Sequence, residues 1–307
     1  MKKLDFVCIG AQKAGTTSLF YYLKNHSEIC LPKNKEAPYF DKLHPKFKLE
    51  EYFKQNFNDC FNRKIVGTIT PQYMCFPGSA ELLYRHNPEL KLIVLLRNPV
   101  ERLISHYDMC VKRGLILDDF DKHIKSLFNK EAIEQARNIK YSDSFEIEDE
   151  KNMLIVWSEY GRILNEYLQY FKLSNFLIID SENLRNKKQE TIKKILDFLN
   201  LNPDVTKLNL NENYHKGGKR SFLPSVYKIK NYAIVKNIRE YIPIQIKQSS
   251  IILNLIKHYD RLITFPNNRE QYYSSIYIKI LKDYFTKDLI ALSPLNILSS
   301  NWFKTTS

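Results

Sequence analysis

Long apolar runs and closely spaced cysteine pairs are both missing from this sequence of 307 residues. The apolar stretch at 92–96 is far shorter than the roughly 18 residues of a membrane-spanning helix. None of the five cysteines belongs to a C-x-x-C pair, which argues against a zinc site and favours a reduced compartment. The lysines at the start resemble a signal peptide, but Asp5 interrupts them and the apolar run 6–9 is too short. We therefore expect a cytoplasmic location.

Acidic residues are also scarce relative to basic ones, with 34 Asp and Glu against 47 Lys and Arg and a net charge of +13. Such a charge attracts nucleotides, acidic glycans, nucleic acids or a membrane surface. However, the accompanying abundance of Lys, Asn, Ile, Tyr and Phe is also what an A/T-rich genome produces. The charge therefore selects no partner by itself.

Only eight glycines and 12 prolines are present, which excludes collagen-like and low-complexity architectures, and a hydrophobic content of 44% is ample for a core. Short apolar segments alternate with amphipathic ones along the chain. The predicted strands are 4–10, 90–96 and 176–179, and the predicted helices are 18–23, 100–113 and 188–199. This alternation predicts an α/β fold in which helices flank a central parallel sheet.

We expect one domain over residues 1–307. A basic, aliphatic segment at 226–266 is predicted to be helical and has no assigned role. The polar segment 136–152 shows no sustained period and is predicted to be a surface loop that could cover a site.

A glycine-bearing loop lies between the first predicted strand and the first predicted helix. Its sequence is Gly10-Ala11-Gln12-Lys13-Ala14-Gly15-Thr16-Thr17-Ser18. A loop in this place can turn backbone N–H groups and a helix N-terminus toward a phosphate. The pattern nearly matches the phosphate loop of nucleoside triphosphatases, but Thr16 stands where that loop has lysine, and the lysine is Lys13 instead.

A second difference concerns metal. The strand at 92–96 ends in Arg97, where a magnesium-dependent ATPase would carry an acidic residue. Phosphoryl transfer needs a metal ion to offset the charge of a triphosphate. A site without one suits a group of lower charge, such as a sulfuryl group.

Arg97 also opens a second candidate anion site. It follows a predicted strand, at the edge where open α/β sheets bind ligands, and Pro99 suits the first turn of the next helix. Ser105 lies two turns into that helix and could face the same ligand.

Together these segments resemble the sulfotransferases that use 3′-phosphoadenosine 5′-phosphosulfate (PAPS), whose fold is P-loop-like. Residues 12–19 are similar to that family's 5′-phosphosulfate loop, and residues 95–107 to its 3′-phosphate site. The branch that acts on heparan-type glycans, with its bacterial relatives, fits best. Residues 35–40, Lys-Glu-Ala-Pro-Tyr-Phe, resemble the segment with that branch's catalytic glutamate, and residues 70–73 resemble its substrate-side loop. Residues 214–220 resemble a late cofactor loop.

The resemblance implies a role for each matching residue. Lys13 would stabilise the leaving phosphate and Glu36 would be the general base, with His106 as the alternative base. Beside Lys33 and Lys35, the pKa of Glu36 should be lowered, with burial opposing the shift. The residues that would bind PAPS are Lys13, Ala14, Gly15, Thr16, Thr17, Ser18, Arg97, Ser105, Lys216 and Gly217. Those that would contact the acceptor are Lys35, Gln72, Tyr73 and His106.

The expected reaction is metal-independent sulfuryl transfer to a hydroxyl of a carbohydrate or polysaccharide, which could itself be anionic. An amine, tyrosine or lipid acceptor is the alternative within the family. A nucleotide-dependent kinase would instead require Mg·ATP, and a non-enzymatic binder of nucleic acid or an anionic surface would leave both anion motifs unexplained. We expect no specific nucleic-acid partner, and peripheral contact with a membrane stays open.

Overall fold

A five-stranded parallel sheet forms the centre of the computed structural model. The structure describes residues 3–41, 48–58, 60, 62–139, 147–205, 208–210, 219–221, 264–266, 273–290 and 302. The strands lie in the order β2-β3-β1-β4-β5. Their bounds are β1 Phe6–Gly10, β2 Ile29–Cys30, β3 Ile65–Ile69, β4 Lys91–Leu96 and β5 Phe176–Asp180. The predicted parallel sheet is confirmed, although the sequence analysis missed β2 and β3.

Helices connect these strands and cover the sheet. In chain order they are α1 Thr16–Lys24, α2 Leu49–Phe57, α3 Ser79–His86, α4 Pro99–Lys112, α5 Phe120–Leu127, α6 Lys130–Asn138, α7 Tyr160–Leu168, α8 Ser181–Asn186, α9 Lys188–Phe198 and α10 Ser275–Ile290. Short 3-10 turns occupy Pro71–Met74, Ile147–Asn152, Val156–Ser158 and Leu173–Asn175. None of the described helices combines the length and apolarity needed to cross a membrane.

The central strand β1 determines where the site lies. All five of its residues are buried, as expected for a strand covered on both faces. It pairs with β3 on one side and with β4 on the other, and all three run parallel. The carboxyl ends of β1, β3 and β4 therefore open onto the same edge of the sheet, where ligands bind in open α/β folds.

Three sequence-based predictions need correction. Residues 264–266 form strand β7, which pairs antiparallel with β6 at Lys219–Ser221, so the predicted helical segment 226–266 does not extend through its last residues. The remainder of that segment lies outside the described residues, as do Lys216 and Gly217. Within 136–152, predicted to be a loop, residues 136–138 end α6 and residues 147–152 form a 3-10 turn.

The third correction concerns the cysteines, which were expected to be reduced. Cys30 and Cys60 form a disulfide, with Cα atoms 5.2 Å apart. The two residues are 30 positions apart in sequence, so only the folded path of the chain shows that they meet. Cys8, Cys75 and Cys110 are free and buried.

Candidate active site

The glycine-bearing loop follows β1 and leads directly into α1. Gly15 precedes the helix with φ 100°, a left-handed backbone that favours glycine, and no side chain caps the helix. A Cβ on Gly10 would come within 2.6 Å of the Met74 Cβ, so only glycine fits where the loop begins. The first turn of α1 contains no acidic residue. The N–H groups at this helix N-terminus and the positive end of the helix dipole therefore suit an anion.

Lys13 lies at the centre of a positively charged region. Its backbone is left-handed, with φ 72°, which places the residue inside the loop. Burial, and after it the charges of the nearby Arg113, Arg102 and Arg97, together lower the pKa of Lys13 to about 8. An anion bound among these four cations would hold the Lys13 ammonium in its charged form.

The second anion motif lies where β4 passes into α4. The Asn98 side chain caps this helix by accepting hydrogen bonds from the backbone N–H groups of Val100 and Glu101. The side chain of Arg97 is 13% exposed, and its Nη2 donates to Oε2 of Glu101 over 2.9 Å. Ser105 is half-buried on the same helix. This confirms the predicted local structure around both residues, while their contact with a phosphate stays a prediction.

Trp302 connects two strands at this end of the sheet. Its Nε1–H donates to Oδ2 of Asp180 over 2.8 Å, and its carbonyl oxygen accepts from Nδ2 of Asn98 over 2.9 Å. Since Asp180 ends β5 and Asn98 follows β4, Trp302 links the carboxyl ends of two neighbouring strands.

Glu36 is held by two neighbours. Its Oε1 accepts from Nζ of Lys35 over 2.7 Å, and its Oε2 accepts from Nε2 of Gln72 over 2.8 Å. Burial raises the pKa of Glu36, but Lys35, Gln72 and Arg113 together outweigh burial and lower it. The direction and the opposing effect of burial are those predicted from the sequence. The side chain remains 42% exposed, so the carboxylate is both ionised and accessible.

Tyr73 is fully buried, so the expectation that it contacts the acceptor needs correction. Its hydroxyl accepts hydrogen bonds from the N–H groups of Tyr39, over 2.9 Å, and Phe40, over 3.4 Å. The same hydroxyl donates to the carbonyl of Ala37 over 3.1 Å. Tyr73 therefore positions the segment that follows Glu36.

His106 is likewise fully buried, which leaves it no surface to offer an acceptor or to serve as the alternative base. Its ring stacks on Trp157 at 5.3 Å, and its Nδ1 lies 3.4 Å from both terminal nitrogens of Arg102. Burial and the charge of Arg102 hold the pKa of His106 well below its usual range. The ring is therefore neutral.

A second glutamate reaches the site from the turn at 147–152. Glu150 forms an ion pair with Arg113, at the C-terminal end of α4, and accepts from Nε2 of Gln12 in the loop over 3.5 Å. Burial raises the pKa of Glu150, and so does the charge of Glu36, while Arg113 and Lys13 lower it. The side chain is only 13% exposed. Glu150 is thus close enough to interact electrostatically with both Lys13 and Glu36.

A model of the sulfotransferase domain matches residues 3–219. The chain belongs to the sulfotransferase family. Among solved structures, a sulfotransferase from Alicyclobacillus acidocaldarius aligns over 98% of this chain and 99% of its own, with a TM-score of 0.65 and 18% identity. The fold is thus the P-loop-like sulfotransferase fold, as the sequence predicted.

Curated relatives match over shorter stretches. Heparan sulfate glucosamine 3-O-sulfotransferase 5 of Mus musculus is 25% identical over 69% of this chain and 57% of its own. Membrane-associated sulfotransferase kil1 of Dictyostelium discoideum is 37% identical over 35% of this chain and 23% of its own. Carbohydrate sulfotransferase 15 of Rattus norvegicus is 24% identical over 64% of this chain and 44% of its own. The chain therefore spans less than two thirds of the length of these relatives.

In this sulfotransferase, the sequence analysis missed Glu150, Arg113 and Gln12 as site residues. Gln12 lies within the recognised loop, but its side-chain partner is 138 positions away. Glu150 lies in the segment 136–152, which is predicted to be a polar surface loop. The one sequence feature that could have drawn attention to Glu150 is its place in a segment expected to cover a site.

Proposed function

We propose that this sulfotransferase transfers a sulfuryl group from PAPS to a hydroxyl of a carbohydrate or polysaccharide acceptor, in line and without a metal ion. The observation that supports this most strongly is the position of Lys13, a half-buried lysine among three arginines beside an uncapped helix N-terminus. This arrangement suits a bisphosphorylated donor with a monoanionic sulfuryl group. The family match over residues 3–219 supports the same reaction, and we infer one domain for the chain.

The donor would lie along the carboxyl edge of the sheet. The loop from Lys13 to Ser18 would bind its 5′-phosphosulfate through backbone N–H groups and hydroxyls. Arg97 would bind the 3′-phosphate, because a guanidinium offers a planar fork to two oxygens, and Ser105 would add a hydroxyl. Lys216 and Gly217, which lie outside the described residues, would close over the donor.

The reaction forms a bond between the acceptor oxygen and sulfur and breaks the bond between sulfur and the bridging phosphate oxygen. PAPS supplies the sulfuryl group, and the bisphosphate leaves with the bridging oxygen and its electron pair. Lys13 would stabilise the charge that develops on that oxygen. Glu36 would take the acceptor proton, a contribution typically worth about 10²–10⁴-fold.

The described residues include one cluster that could resemble a metal site, formed by His106, Cys110 and Glu150 within 4.8 Å of one another. A guanidinium only donates, so Nδ1 of His106 must accept from Arg102, and the neutral ring carries its hydrogen on Nε2. That nitrogen has no lone pair for a metal. Burial also raises the pKa of the Cys110 thiol to about 12. This chemistry supports the metal-independent proposal.

A carbohydrate acceptor is proposed because relatives named for heparan sulfate and carbohydrate sulfation align with this chain. An amine, tyrosine or lipid acceptor is the second candidate, for which Glu36 would play the same role. The cytoplasmic location predicted from the sequence stays a prediction. The Cys30–Cys60 disulfide favours an oxidising compartment instead.

Transfer of ³⁵S from PAPS to carbohydrate acceptors tests this proposal, with Lys13→Ala and Glu36→Gln beside the wild type. Lys13→Ala should abolish turnover while preserving the fold, as measured by circular dichroism. Glu36→Gln should lose rate and keep its affinity for adenosine 3′,5′-bisphosphate. Full activity of Lys13→Ala would overturn the mechanism, and an unchanged rate in Glu36→Gln would remove Glu36 as the base.

A further inference from the structure

Glu36 and Glu150, which interact electrostatically with each other, are held by equivalent sets of partners. One oxygen of Glu36 pairs with Lys35, and the other accepts from the carboxamide of Gln72. This first set therefore consists of a cation, a glutamate and a glutamine.

In the second set, one oxygen of Glu150 pairs with Arg113, and the other accepts from the carboxamide of Gln12. The side chains of this ion pair are 30% and 13% exposed, so the pair lies at the boundary between protein and solvent. The two sets arise from distant segments of the chain and meet around the loop that contains Lys13.

The glutamine orientations in both sets follow from chemistry. An ionised carboxylate has no hydrogen to donate, so the NH₂ group of each glutamine must face its glutamate. The carbonyl oxygens Oε1 of Gln12 and Gln72 consequently remain, and both are buried without a hydrogen-bond partner among the residues that the structure describes. The two glutamines therefore present acceptors beside the glutamates, and these call for ligand O–H or N–H groups.

The cations that contact the two glutamates already form ion pairs with them. Lys35 is paired with Glu36, and Arg113 is paired with Glu150. Lys13 faces the donor under the proposed function. Among the described residues, the cations that pair with Glu36 and Glu150 are thus already occupied. An acceptor carboxylate beside the reacting hydroxyl would therefore be repelled by these two glutamates. A neutral sugar hydroxyl would instead donate to them.

We propose that Glu150 binds a hydroxyl of the acceptor next to the one that Glu36 activates, and that the enzyme thereby selects acceptors that are rich in hydroxyls and uncharged at the reacting sugar. This inference rests on the proposed sulfuryl transfer and specifies its substrate class. Glu150 is an acceptor-binding residue in this account, not a second base. Its pairing with Arg113 sets the charge preference.

The test uses the full chain with ³⁵S-labelled PAPS and a panel of neutral tetrasaccharides of glucose, galactose and N-acetylglucosamine. Each is assayed beside a matched counterpart in which alternate sugars are uronic acids. The wild type should prefer the neutral member by at least tenfold in kcat/KM. Glu150→Gln should reduce this preference at least fivefold, because it raises KM for the neutral acceptor and frees Arg113 to bind the uronate.

Two further variants separate the charge effect from general damage. In Glu150→Gln/Arg113→Gln the freed cation is gone but the hydroxyl-binding carboxylate is still absent, so the preference should rise above that of Glu150→Gln and stay below that of the wild type. Glu148→Gln changes an exposed acid in the same turn and should leave the preference as it is. Thermal shifts with adenosine 3′,5′-bisphosphate should be alike in the wild type, Glu150→Gln and Glu148→Gln, whereas the variant that also lacks Arg113 should bind the bisphosphate more weakly, since Arg113 is one of the cations around Lys13.

The contrary outcomes are distinct. A wild type that prefers uronates, or a preference unaltered in Glu150→Gln, overturns the inference and leaves the proposed function standing. Loss of kcat in Glu150→Gln with acceptor KM unchanged also overturns it, since Glu150 would then act in the chemical step. No transfer by the wild type to any member overturns the carbohydrate proposal itself, and this inference with it.

Discussion

The carboxamide of Gln72 donates from Nε2 to Oε2 of Glu36 over 2.8 Å. Gln72 lies in the turn that follows β3, and Glu36 lies in the segment that follows β2. The two strands are parallel neighbours, so their carboxyl ends bring the two side chains together. The proposed base is thus oriented by a residue from the adjacent strand.

Gln72→Met removes this hydrogen bond while keeping a side chain of similar length. Because the bond lowers the pKa of Glu36, its loss should raise that pKa. The acid limb of the kcat/KM profile should then move to higher pH, and kcat should fall by less than the roughly 10²–10⁴-fold expected for Glu36→Gln. A pH series with saturating PAPS measures both effects. An acid limb that stays in place would show that Gln72 does not tune the base.

Donor binding should depend on the charge of Lys13. In the free protein its pKa is about 8, chiefly because of burial, so the ammonium is lost as pH rises through that value. A bound phosphate holds the ammonium charged, and binding above pH 8 therefore takes up a proton. Affinity for adenosine 3′,5′-bisphosphate should fall about tenfold between pH 7 and pH 9. Isothermal titration in buffers of different ionisation enthalpy measures the uptake.

Lys13→Arg is the matched variant, since a guanidinium stays charged over this range. Its affinity should be lower than that of the wild type at pH 7 but almost independent of pH. An equal pH dependence in Lys13→Arg would assign the titration to another group.

The Glu159 carboxylate joins helices α6, α7 and α10 through hydrogen bonds. It is 1% exposed and accepts from Arg137 at 2.8 Å and from Arg162 at 2.6 Å, with the hydroxyl of Tyr284 as a further donor. Glu159→Gln leaves the two arginines without their buried counter-charge and should cost about 3 kcal/mol in the free energy of unfolding. Urea denaturation measures this loss.

Glu134 provides the control for Glu159, because it pairs with the same Arg137 from an exposed position. Exposed ion pairs contribute about 0–1 kcal/mol, so Glu134→Gln should barely change the urea midpoint. Equal losses in the two variants would contradict the assigned importance of the buried carboxylate.

The Cys30–Cys60 disulfide closes a loop that contains Glu36. Cross-linking residues 30 positions apart should stabilise the fold by about 3–4 kcal/mol, mainly by restricting the unfolded chain. Cys60→Ser should lose this amount. Thiol titration of the denatured, unreduced protein should find three free thiols, whereas five would show that the protein is isolated in the reduced form.

The parts of the site that could be predicted from the sequence are those formed by consecutive residues. The loop from Gly10 to Ser18 and the motif from Arg97 to Ser105 each follow a strand and enter a helix, so local pattern alone places them at the ligand-binding edge. Strand β2 contains only two residues, and β3 includes Gly67 and Thr68, so neither shows a clear apolar run.

The remaining site residues depend on contacts between distant segments. Nothing in the sequence near Glu150 indicates that it pairs with Arg113, 37 positions away. Tyr73 illustrates a different limit of prediction from the sequence. Its motif resembles a substrate-side loop, but only the folded structure shows that its hydroxyl binds the backbone of residues 37, 39 and 40.

Binding of the donor product tests the central claim most directly. Thermal unfolding should be followed with adenosine 3′,5′-bisphosphate alone and, separately, with ATP and Mg²⁺. At a hundred times its dissociation constant the bisphosphate should stabilise the wild type by about 2.7 kcal/mol, and Lys13→Ala should lose most of this effect. Stabilisation by Mg·ATP, with none by the bisphosphate, would contradict the sulfotransferase account and identify the loop as a triphosphate site.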